Sequence, residues 1–325
     1  MGGMKPDLTP VADSIDLRTI LAAAARIAPH AQVTPIMRSA SLDELAGCEL
    51  HFKCENFQRV GAFKFRGACN AVFSLADSRA ARGVVTQSSG NHGAALALAA
   101  RLRGIGAQVV VPANASKVKR AAIERYGARI VDCEPNMAAR DAATRDLLAR
   151  TGAELVHPFA DPRVIAGQGT VALEFLRQCE RLDALIAPIG GGGLMSGCAV
   201  ATRALSPATR LWGAEPVAAA DAHDSLQSGT LITDRTPQTI CDGLRGHLAP
   251  ITFAILGDHL DGILLASEEE IVAAMRLLWE RLKIVVEPSS AVAFAAVLRE
   301  RGRFAGQRVG IVLSGGNLDL DALPW

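Results

Sequence analysis

A lysine between two phenylalanines is the first group in the chain that could do covalent chemistry. Lys64 lies in the stretch Asn-Phe-Gln-Arg-Val-Gly-Ala-Phe-Lys-Phe-Arg-Gly at residues 56–67. Apolar surroundings lower the pKa of an ammonium ion, and a neutral lysine amine is the nucleophile that forms Schiff bases. The same residue could instead be a surface lysine on an amphipathic helix that opens after the loop. The stretch alone leaves both interpretations open.

Four consecutive glycines at residues 190–193 form a second candidate site. They follow the apolar run Ala-Leu-Ile-Ala-Pro-Ile and precede a predicted helix. Glycines leave backbone N–H groups accessible, and a helix N-terminus adds partial positive charge, so the pattern favours a phosphate site over a simple tight turn. A dinucleotide-binding loop is the alternative, because Glu215 lies near the position where such folds hold a ribose.

Two further polar loops follow predicted strands. The loop Ser-Ser-Gly-Asn-His-Gly at residues 88–93 lies at the binding edge of an open α/β sheet, where hydroxyl, amide and backbone N–H groups could hold a carboxylate. A helix cap with a flexible turn is the alternative. His92 by itself favours a structural or substrate-orienting role over that of a catalytic base. The loop Ser-Gly-Gly-Asn at residues 314–317 by itself predicts only a turn.

The elements between these loops alternate between strand and helix. Strands are predicted at residues 49–53, 83–87, 107–111, 128–131, 184–189, 210–214 and 308–313. Helices are predicted at residues 17–30, 65–75, 94–102, 117–126, 137–151, 170–181, 194–205, 268–283 and 289–301. Strands separated by helices of this length imply right-handed crossovers, so we expect an α/β fold with parallel sheets.

The composition excludes several classes of protein. Of 325 residues, 50% are hydrophobic and 21% are charged, which is ordinary for a globular chain. The net charge of +1 gives no sign of a basic surface for nucleic acid or an anionic membrane. No apolar run reaches the ~18 residues of a membrane span, and residues 1–16 lack the apolar core of a signal peptide. The seven scattered cysteines predict reduced thiols in a cytoplasmic protein, without a zinc site.

The four motifs in this order resemble fold-type II pyridoxal-phosphate enzymes. The branch they resemble includes serine/threonine dehydratases, serine racemase and threo-3-hydroxyaspartate dehydratase, over about residues 17–320. The resemblance implies a two-lobed α/β fold like the tryptophan synthase β subunit, with parallel or mostly parallel sheets flanked by helices. It implies a large cofactor-binding domain of residues 1–76 and 156–325, a small domain of residues 77–155, and a homodimer.

The resemblance also assigns contacts with pyridoxal 5'-phosphate. Lys64 would form the Schiff base and take the Cα proton, with Phe63 packed against the pyridine ring. Asn91 would meet the phenolic oxygen of the cofactor, and Ser314 would face the pyridine nitrogen. The phosphate would be held by the backbone of Gly190, Gly191, Gly192, Gly193 and Leu194.

The substrate contacts follow from the same resemblance. Ser88, Asn91 and His92 would hold the carboxylate of an amino-acid substrate, and Ser89 matches the serine that protonates the opposite face in racemases. Arg140 sits where a distal carboxylate would be gripped, although a solvent-facing arginine in a helix is the alternative. These assignments imply a small-molecule substrate, without a nucleic-acid or membrane partner.

A divalent-cation site is a further implication of the resemblance. Glu215 and Asp221, with the carbonyl of Ala219, match a site near the cofactor lobe. Such hard oxygen ligands suit Mg²⁺, and also Mn²⁺ or Ca²⁺. Two solvated carboxylates are the alternative.

The implied reaction is a β-elimination. L-Threonine or L-serine would lose water and yield a 2-oxo acid and ammonia. The alternatives within the family are a threo-3-hydroxyaspartate ammonia-lyase and a serine racemase with dehydratase side activity. An NAD-dependent oxidoreductase would leave Lys64 and Ser314 without roles, and a non-catalytic sensor would not need both the lysine and the glycine loop.

Overall fold

The computed structural model describes residues 14–115 and 117–325, so the interpretation of residues 1–13 lies outside the described residues. The strands are β1 (Ile36–Met37), β2 (Glu49–Cys54), β3 (Val84–Thr86), β4 (Ala107–Pro112), β5 (Arg129–Cys133), β6 (Glu154–Leu155), β7 (Ala184–Pro188), β8 (Arg210–Pro216), β9 (Gly262–Ala266) and β10 (Arg308–Leu313). The helices are α1 (Leu17–Ile27), α2 (Ala40–Ala46), α3 (Lys64–Phe73), α4 (Asp77–Ala80), α5 (Asn91–Arg103), α6 (Lys117–Arg125), α7 (Met137–Thr151), α8 (Pro162–Gln178), α9 (Gly193–Leu205), α10 (Asp221–Ser228), α11 (Pro250–His259), α12 (Glu268–Leu282), α13 (Pro288–Arg299) and α14 (Arg301–Phe304).

Two sheets organise these elements. One has six strands in the order β1-β2-β10-β7-β8-β9, and the other has four strands in the order β5-β4-β3-β6. Every pair is parallel except β1 with β2, which is antiparallel. The expected α/β fold with mostly parallel sheets flanked by helices is therefore confirmed. The four-stranded sheet uses residues 84–155, and the domain boundaries given above stay a prediction.

The six-stranded sheet is buried on both faces, which explains its apolar strands. All five residues of β7 are buried, so this strand is continuously apolar rather than alternating. On one face, Phe52 of β2 meets Phe294 of α13 edge to face, with ring centroids 5.5 Å apart. Because β2, β7 and β10 are neighbours in this sheet, the loops at their carboxyl ends lie side by side.

Helix α8 begins eight residues earlier than the helix predicted at residues 170–181. Asp161 caps its N-terminus by accepting a hydrogen bond from the backbone of Arg163 at 2.8 Å, and a proline occupies its first turn. Glycine has a low intrinsic preference for the interior of a helix, so Gly167 gave no sequence signal for this part of α8. In the fold, a Cβ on Gly167 would lie 2.6 Å from the Cα of Gly67 in α3, so glycine is needed for the close approach of the two helices.

The helix pair α8 and α9 approaches equally closely. A Cβ on Gly169 would lie 2.9 Å from the carbonyl oxygen of Gly197, and a Cβ on Gly197 would collide with the backbone of Gly169. Backbone therefore packs directly against backbone along α3, α8 and α9.

Two properties of the chain accord with the composition. Within the described ranges, no helix combines the length and apolar character that a bilayer crossing requires. The seven cysteines are free thiols, as predicted, and burial raises the pKa of several of them, including Cys48 to about 11.

Candidate active site

The turn before Lys64 is bonded to the loop that follows β10. Lys64 is the first residue of α3, directly after this turn. The backbone N–H of Phe63 donates to the carbonyl of Ser314 at 3.0 Å, and that of Gly316 donates to the carbonyl of Gly61 at 2.9 Å. The structure thus brings together the lysine loop and the Ser-Gly-Gly-Asn loop, which are about 250 residues apart in the sequence.

The Lys64 amine lies in a partly buried, mainly apolar position. Its Nζ atom donates to the carbonyl oxygen of Pro158 at 3.0 Å and lies 5.0 Å from the centroid of the Phe63 ring. Burial lowers the pKa of Lys64 to about 8, although the negative charge of Glu287 acts in the opposite direction. The neutral amine is therefore far more populated near pH 7 than in an ordinary lysine.

The glycine loop presents free backbone donors at the start of α9. Gly192 has φ 84°, a left-handed conformation that favours glycine. A Cβ on Gly191 would collide with the ring of Phe159. Among the described residues, no backbone acceptor bonds to the N–H groups of residues 190–194. Free donors at a helix N-terminus fit a phosphate group, and with the Lys64 amine they fit pyridoxal phosphate.

Asn91 links the helix after β3 to the two other loops. Its Nδ2 atom donates to both carboxylate oxygens of Glu287, at 3.0 and 3.3 Å. Its Oδ1 atom accepts from Nδ2 of Asn317 at 2.9 Å, and the same nitrogen of Asn317 donates to the carbonyl of Val60 at 2.6 Å. The side chain of Asn91 is therefore held at both ends.

Glu287 is a site residue that the sequence reasoning missed. It directly precedes Pro288 at the start of α13, and a glutamate side chain is usually exposed, but only 4% of Glu287 is accessible. Burial raises the pKa of Glu287 to about 8, and the charge of Asp242 raises it further, whereas the hydrogen bond from Asn91 lowers it. A glutamate immediately before a proline at a helix start was the available signal.

Ser314 lies at the end of β10, as the sequence predicts. It is buried, and its hydroxyl lies 3.2 Å from the hydroxyl of Ser290 in α13. The Ser290 hydroxyl also bonds the backbone N–H and carbonyl of Gly315, both at 2.6 Å. These bonds fix the position of a neutral hydroxyl close to Lys64.

The loop after β3 contributes unequally to the cavity beside this site. A cavity of about 1010 Å³ is lined by Ser89, Asn91 and Asn317, among others, and so includes two members of the hydrogen-bonded chain described above. Ser88 and His92 are not part of this lining. The Nε2 atom of His92 donates to the Val156 carbonyl at 3.2 Å, so its buried Nδ1 is an acceptor without a partner.

His92 is neutral in this environment. Burial lowers the pKa of His92 to about 3, and the nearby charge of Lys64 acts in the same direction. A buried, neutral imidazole bonded to the backbone matches the structural role considered for His92, and its contact with a substrate stays a prediction.

Arg140 in α7 has an uncommitted guanidinium group. Its Nε atom is buried without a hydrogen-bond partner, and an Nη2 atom contacts the thioether sulfur of Met137, which is a weak acceptor. Burial lowers the pKa of His157 to about 4, and the charges of Lys64 and Arg140 act in the same direction. Arg140 and Lys64 therefore both lie near enough to His157 to affect its charge, and the Nε donor of Arg140 is unused.

The two predicted metal-binding carboxylates lie together but are not solvated. Glu215 ends β8 and Asp221 begins α10, and each is only 1% exposed. Glu215 accepts the backbone N–H groups of Ala222 and His223 at 3.2 and 2.8 Å, whereas both oxygens of Asp221 are buried without a partner. Burial raises the pKa of both acids, because a negative charge is unfavourable in an apolar environment. A bound cation would offset that penalty.

Ala219 completes the predicted donor set. It ends the short 3₁₀ turn Val217–Ala219 that lies in the chain between the two acids. Within the described ranges, no cluster of three or more His, Cys, Asp or Glu side chains could hold a metal. Two carboxylates and a carbonyl are compatible with a hard cation, so the metal site stays a prediction.

A buried ion cluster supports the helix that carries Lys64. Arg66 is 2% exposed and donates to both oxygens of Glu55, each at 2.7 Å, and to Glu174 at 3.0 Å. Lys53 pairs with Glu174 at 2.5 Å. Because these residues come from β2, the 3₁₀ turn after it, α3 and α8, the cluster fixes the first turn of α3 against the rest of the core.

Comparison with known proteins places this geometry in a family. A family profile described as "Pyridoxal-phosphate dependent enzyme" matches residues 27–315. The chain is 51% identical to the beta-hydroxyaspartate dehydratase of Paracoccus denitrificans, over 94% of this chain and 97% of that protein. It is 45% identical to the L-threo-3-hydroxyaspartate ammonia-lyase of Saccharomyces cerevisiae, over 93% of each chain.

Solved structures agree with the sequence matches. The serine racemase of Dictyostelium discoideum superposes with a TM-score of 0.91 at 45% identity, over 94% of this chain and 100% of that one. A lysine amine of lowered pKa, a phosphate-type glycine loop and the matched family profile agree with one another. The chain belongs to the fold-type II family of pyridoxal-phosphate-dependent enzymes.

Proposed function

We propose that the protein removes water from a 3-hydroxy amino acid and releases a 2-oxo acid and ammonia. The observation that carries this proposal is the partly buried Lys64 amine of lowered pKa beside the loop of Ser314, which Asn317 joins to Asn91. The ammonia-lyase and dehydratase relatives support the same class of reaction.

The residues of the chain have separate roles in this proposal. When bound, pyridoxal phosphate withdraws electrons from the substrate Cα, which makes the Cα proton acidic. Residues 190–194 hold the phosphate, and Phe63 covers one side of the ring. Lys64 anchors the cofactor and, as a neutral amine, accepts the Cα proton. Asn91 donates to the phenolic oxygen.

Ser314 favours elimination in this site. Its hydroxyl, unlike a carboxylate, does not stabilise a positive charge on the ring nitrogen, so the negative charge that develops at Cα is passed on to the leaving group. The β-hydroxyl then departs with a proton as water. The enamine that remains tautomerises and hydrolyses to the 2-oxo acid and ammonia.

We favour 3-hydroxyaspartate as the substrate because of Arg140. Its guanidinium group has unused donors, and arginine binds carboxylates in a bidentate manner. Two relatives carry names that specify hydroxyaspartate. L-Serine and L-threonine lack the second carboxylate and would leave Arg140 without a substrate contact.

The assay that tests this proposal measures 2-oxo acid release from L-serine, L-threonine and both diastereomers of 3-hydroxyaspartate. In Arg140→Ala, we expect KM for 3-hydroxyaspartate to rise about tenfold to a hundredfold, the value of one charged hydrogen-bonded contact. Turnover of L-serine should change less than about twofold. Runs with Mg²⁺ and with EDTA examine the predicted cation site in parallel.

The control for this variant lies on the same helix. Arg150 is exposed and pairs with Asp146 one helical turn away, so Arg150→Ala should leave both substrates unaffected. Equal losses for serine and 3-hydroxyaspartate in Arg140→Ala would show that this arginine does not read the distal carboxylate.

Racemisation of serine is a second candidate activity, since Ser89 lines the cavity next to Asn91. Serine racemases are also among the relatives, including that of Arabidopsis thaliana at 46% identity over 95% of each chain. Chiral analysis of serine recovered from the assay separates this activity from elimination.

Cofactor affinity should depend on the size of residue 191. In Gly191→Ala, the new methyl group would displace Phe159 or the loop, because its Cβ would overlap that ring. We expect the affinity for pyridoxal phosphate to fall by about tenfold or more, since a displacement of the loop weakens several charge-assisted hydrogen bonds together. Equilibrium titration of the cofactor-free protein measures this affinity.

A matched glycine serves as the control. Gly302 in α14 has open space around the position of a Cβ, so Gly302→Ala should bind the cofactor like the wild type. If Gly191→Ala also binds like the wild type, the loop is not the phosphate site.

A further inference from the structure

Glu287 is a buried acid for which the proposed reaction has no role so far. Its backbone occupies the position that caps α13, yet its side chain makes no capping hydrogen bond to that helix. The carboxylate instead accepts both bonds from the amide nitrogen of Asn91. A buried acid whose hydrogen-bond partner is a neutral amide destabilises a fold, even with the charges of Lys64 and Lys119 nearby, so a purely structural role does not account for it.

The orientation of Asn91 is determined by a chain of bonds that begins at a backbone carbonyl. The Val60 carbonyl can only accept, so the side-chain atom of Asn317 that contacts it is the nitrogen. That nitrogen also donates to Asn91, which identifies the contacted atom of Asn91 as its oxygen. The amide nitrogen of Asn91 must then face Glu287, where the carboxylate accepts.

The two hydrogens of this amide nitrogen have different environments. Both carboxylate oxygens of Glu287 accept from the same nitrogen, at 3.0 and 3.3 Å. One hydrogen can make both of these contacts as a bifurcated hydrogen bond. The second hydrogen can then serve another acceptor. Pyridoxal phosphate offers such an acceptor in its phenolic oxygen.

We propose that Glu287 is a positioning residue that, together with Asn317, locks the Asn91 amide with its nitrogen toward the phenolic oxygen of the cofactor. This inference rests on the proposed function. Without the carboxylate, the amide would keep only the restraint from Asn317, and the hydrogen bond to the cofactor would weaken. The amide of a glutamine at position 287 can still accept through its oxygen, so its effect should be small.

The experiment compares holoenzymes through the pH dependence of the visible absorbance of the bound cofactor. We expect Glu287→Ala and Asn91→Ala to shift the pH midpoint of the visible band in the same direction, by about one unit each, the scale of a lost hydrogen bond to a titrating group. Glu287→Gln should stay near the wild type. The double variant Asn91→Ala/Glu287→Ala should shift no further than Asn91→Ala, because both residues act through one contact.

Four outcomes would contradict the positioning role or the proposed function. A Glu287→Ala holoenzyme with the wild-type midpoint and a lowered Tm would overturn the positioning role. Additive shifts in the double variant would also overturn it. If Glu287→Ala does not fold, Asn317→Ala is measured instead, since it removes the other restraint and should shift the band in the same way, and a wild-type midpoint there would also overturn the role. A wild-type protein without a visible band that depends on Lys64 would contradict the proposed function itself.

Discussion

Replacement of Lys64 by alanine is expected to reduce kcat/KM for 2-oxo acid release by about 10⁴-fold or more, because it removes the proposed covalent anchor and the proposed Cα base together. The visible absorbance of the bound cofactor should change at the same time. The glycine loop remains intact in this variant, so pyridoxal phosphate should still bind, but without a covalent link to the protein. Steady-state kinetics, absorbance and borohydride trapping of the bound cofactor measure these three effects.

Lys117 provides a matched control for this variant. It is an exposed lysine at the start of α6, so Lys117→Ala should retain activity, absorbance and borohydride trapping. If Lys64→Ala were still trapped by borohydride, another lysine would be the anchor. If it kept wild-type turnover, the assignment of the Cα base would be wrong.

Loss of Arg66 is expected to lower the free energy of unfolding by about 3–5 kcal/mol, the cost of breaking a buried ion pair from one side. Glu55 is fully buried, and in Arg66→Ala both it and Glu174 would face Lys53 as their remaining cation. The burial of two carboxylates that would then share one cation causes most of the cost. Equilibrium unfolding in urea, with the midpoint and slope fitted separately, measures the change.

Arg181→Ala is the comparison that isolates burial. Arg181 pairs with Asp183 at 2.6 Å, but its side chain is 74% exposed, so we expect a loss below about 1 kcal/mol. Similar losses in both variants would indicate that the cluster around Arg66 is screened by water and does not fix the start of α3. Cofactor binding by Arg66→Ala in the absence of urea shows whether the lysine has moved.

The sequence predicts those parts of the site that are positioned by local structure, namely strand ends, turns and helix starts. Apolar strands followed by glycine- or serine-rich turns indicate loops at one edge of a parallel sheet. Lys64 begins the helix after one such loop, and residues 190–194 form another loop and the helix start that follows it. These signals are local, since a strand, a turn and a helix start each depend on a few neighbouring residues.

Residues whose environment is set by distant partners could not be predicted in this way. Lys53 lies in a strand whose polar and apolar residues alternate in the sequence, but it is fully buried against Glu174, 121 residues away. Glu287 has its partner Asn91 196 residues away, and its local sequence predicts only a helix cap. Strand β9 and helix α11 were likewise not predicted from the sequence.

The close backbone packing of α3, α8 and α9 allows the substrate preference to change without a change in the cofactor site. Lys64, the proposed covalent anchor, begins α3, and the proposed phosphate loop leads into α9. Contacts at Gly67, Gly167, Gly169 and Gly197 join both helices to α8. The distance between Lys64 and the glycine loop is thus set by backbone contacts rather than by side chains. Side chains around the cavity can therefore change the accepted substrate while the cofactor stays in the same place.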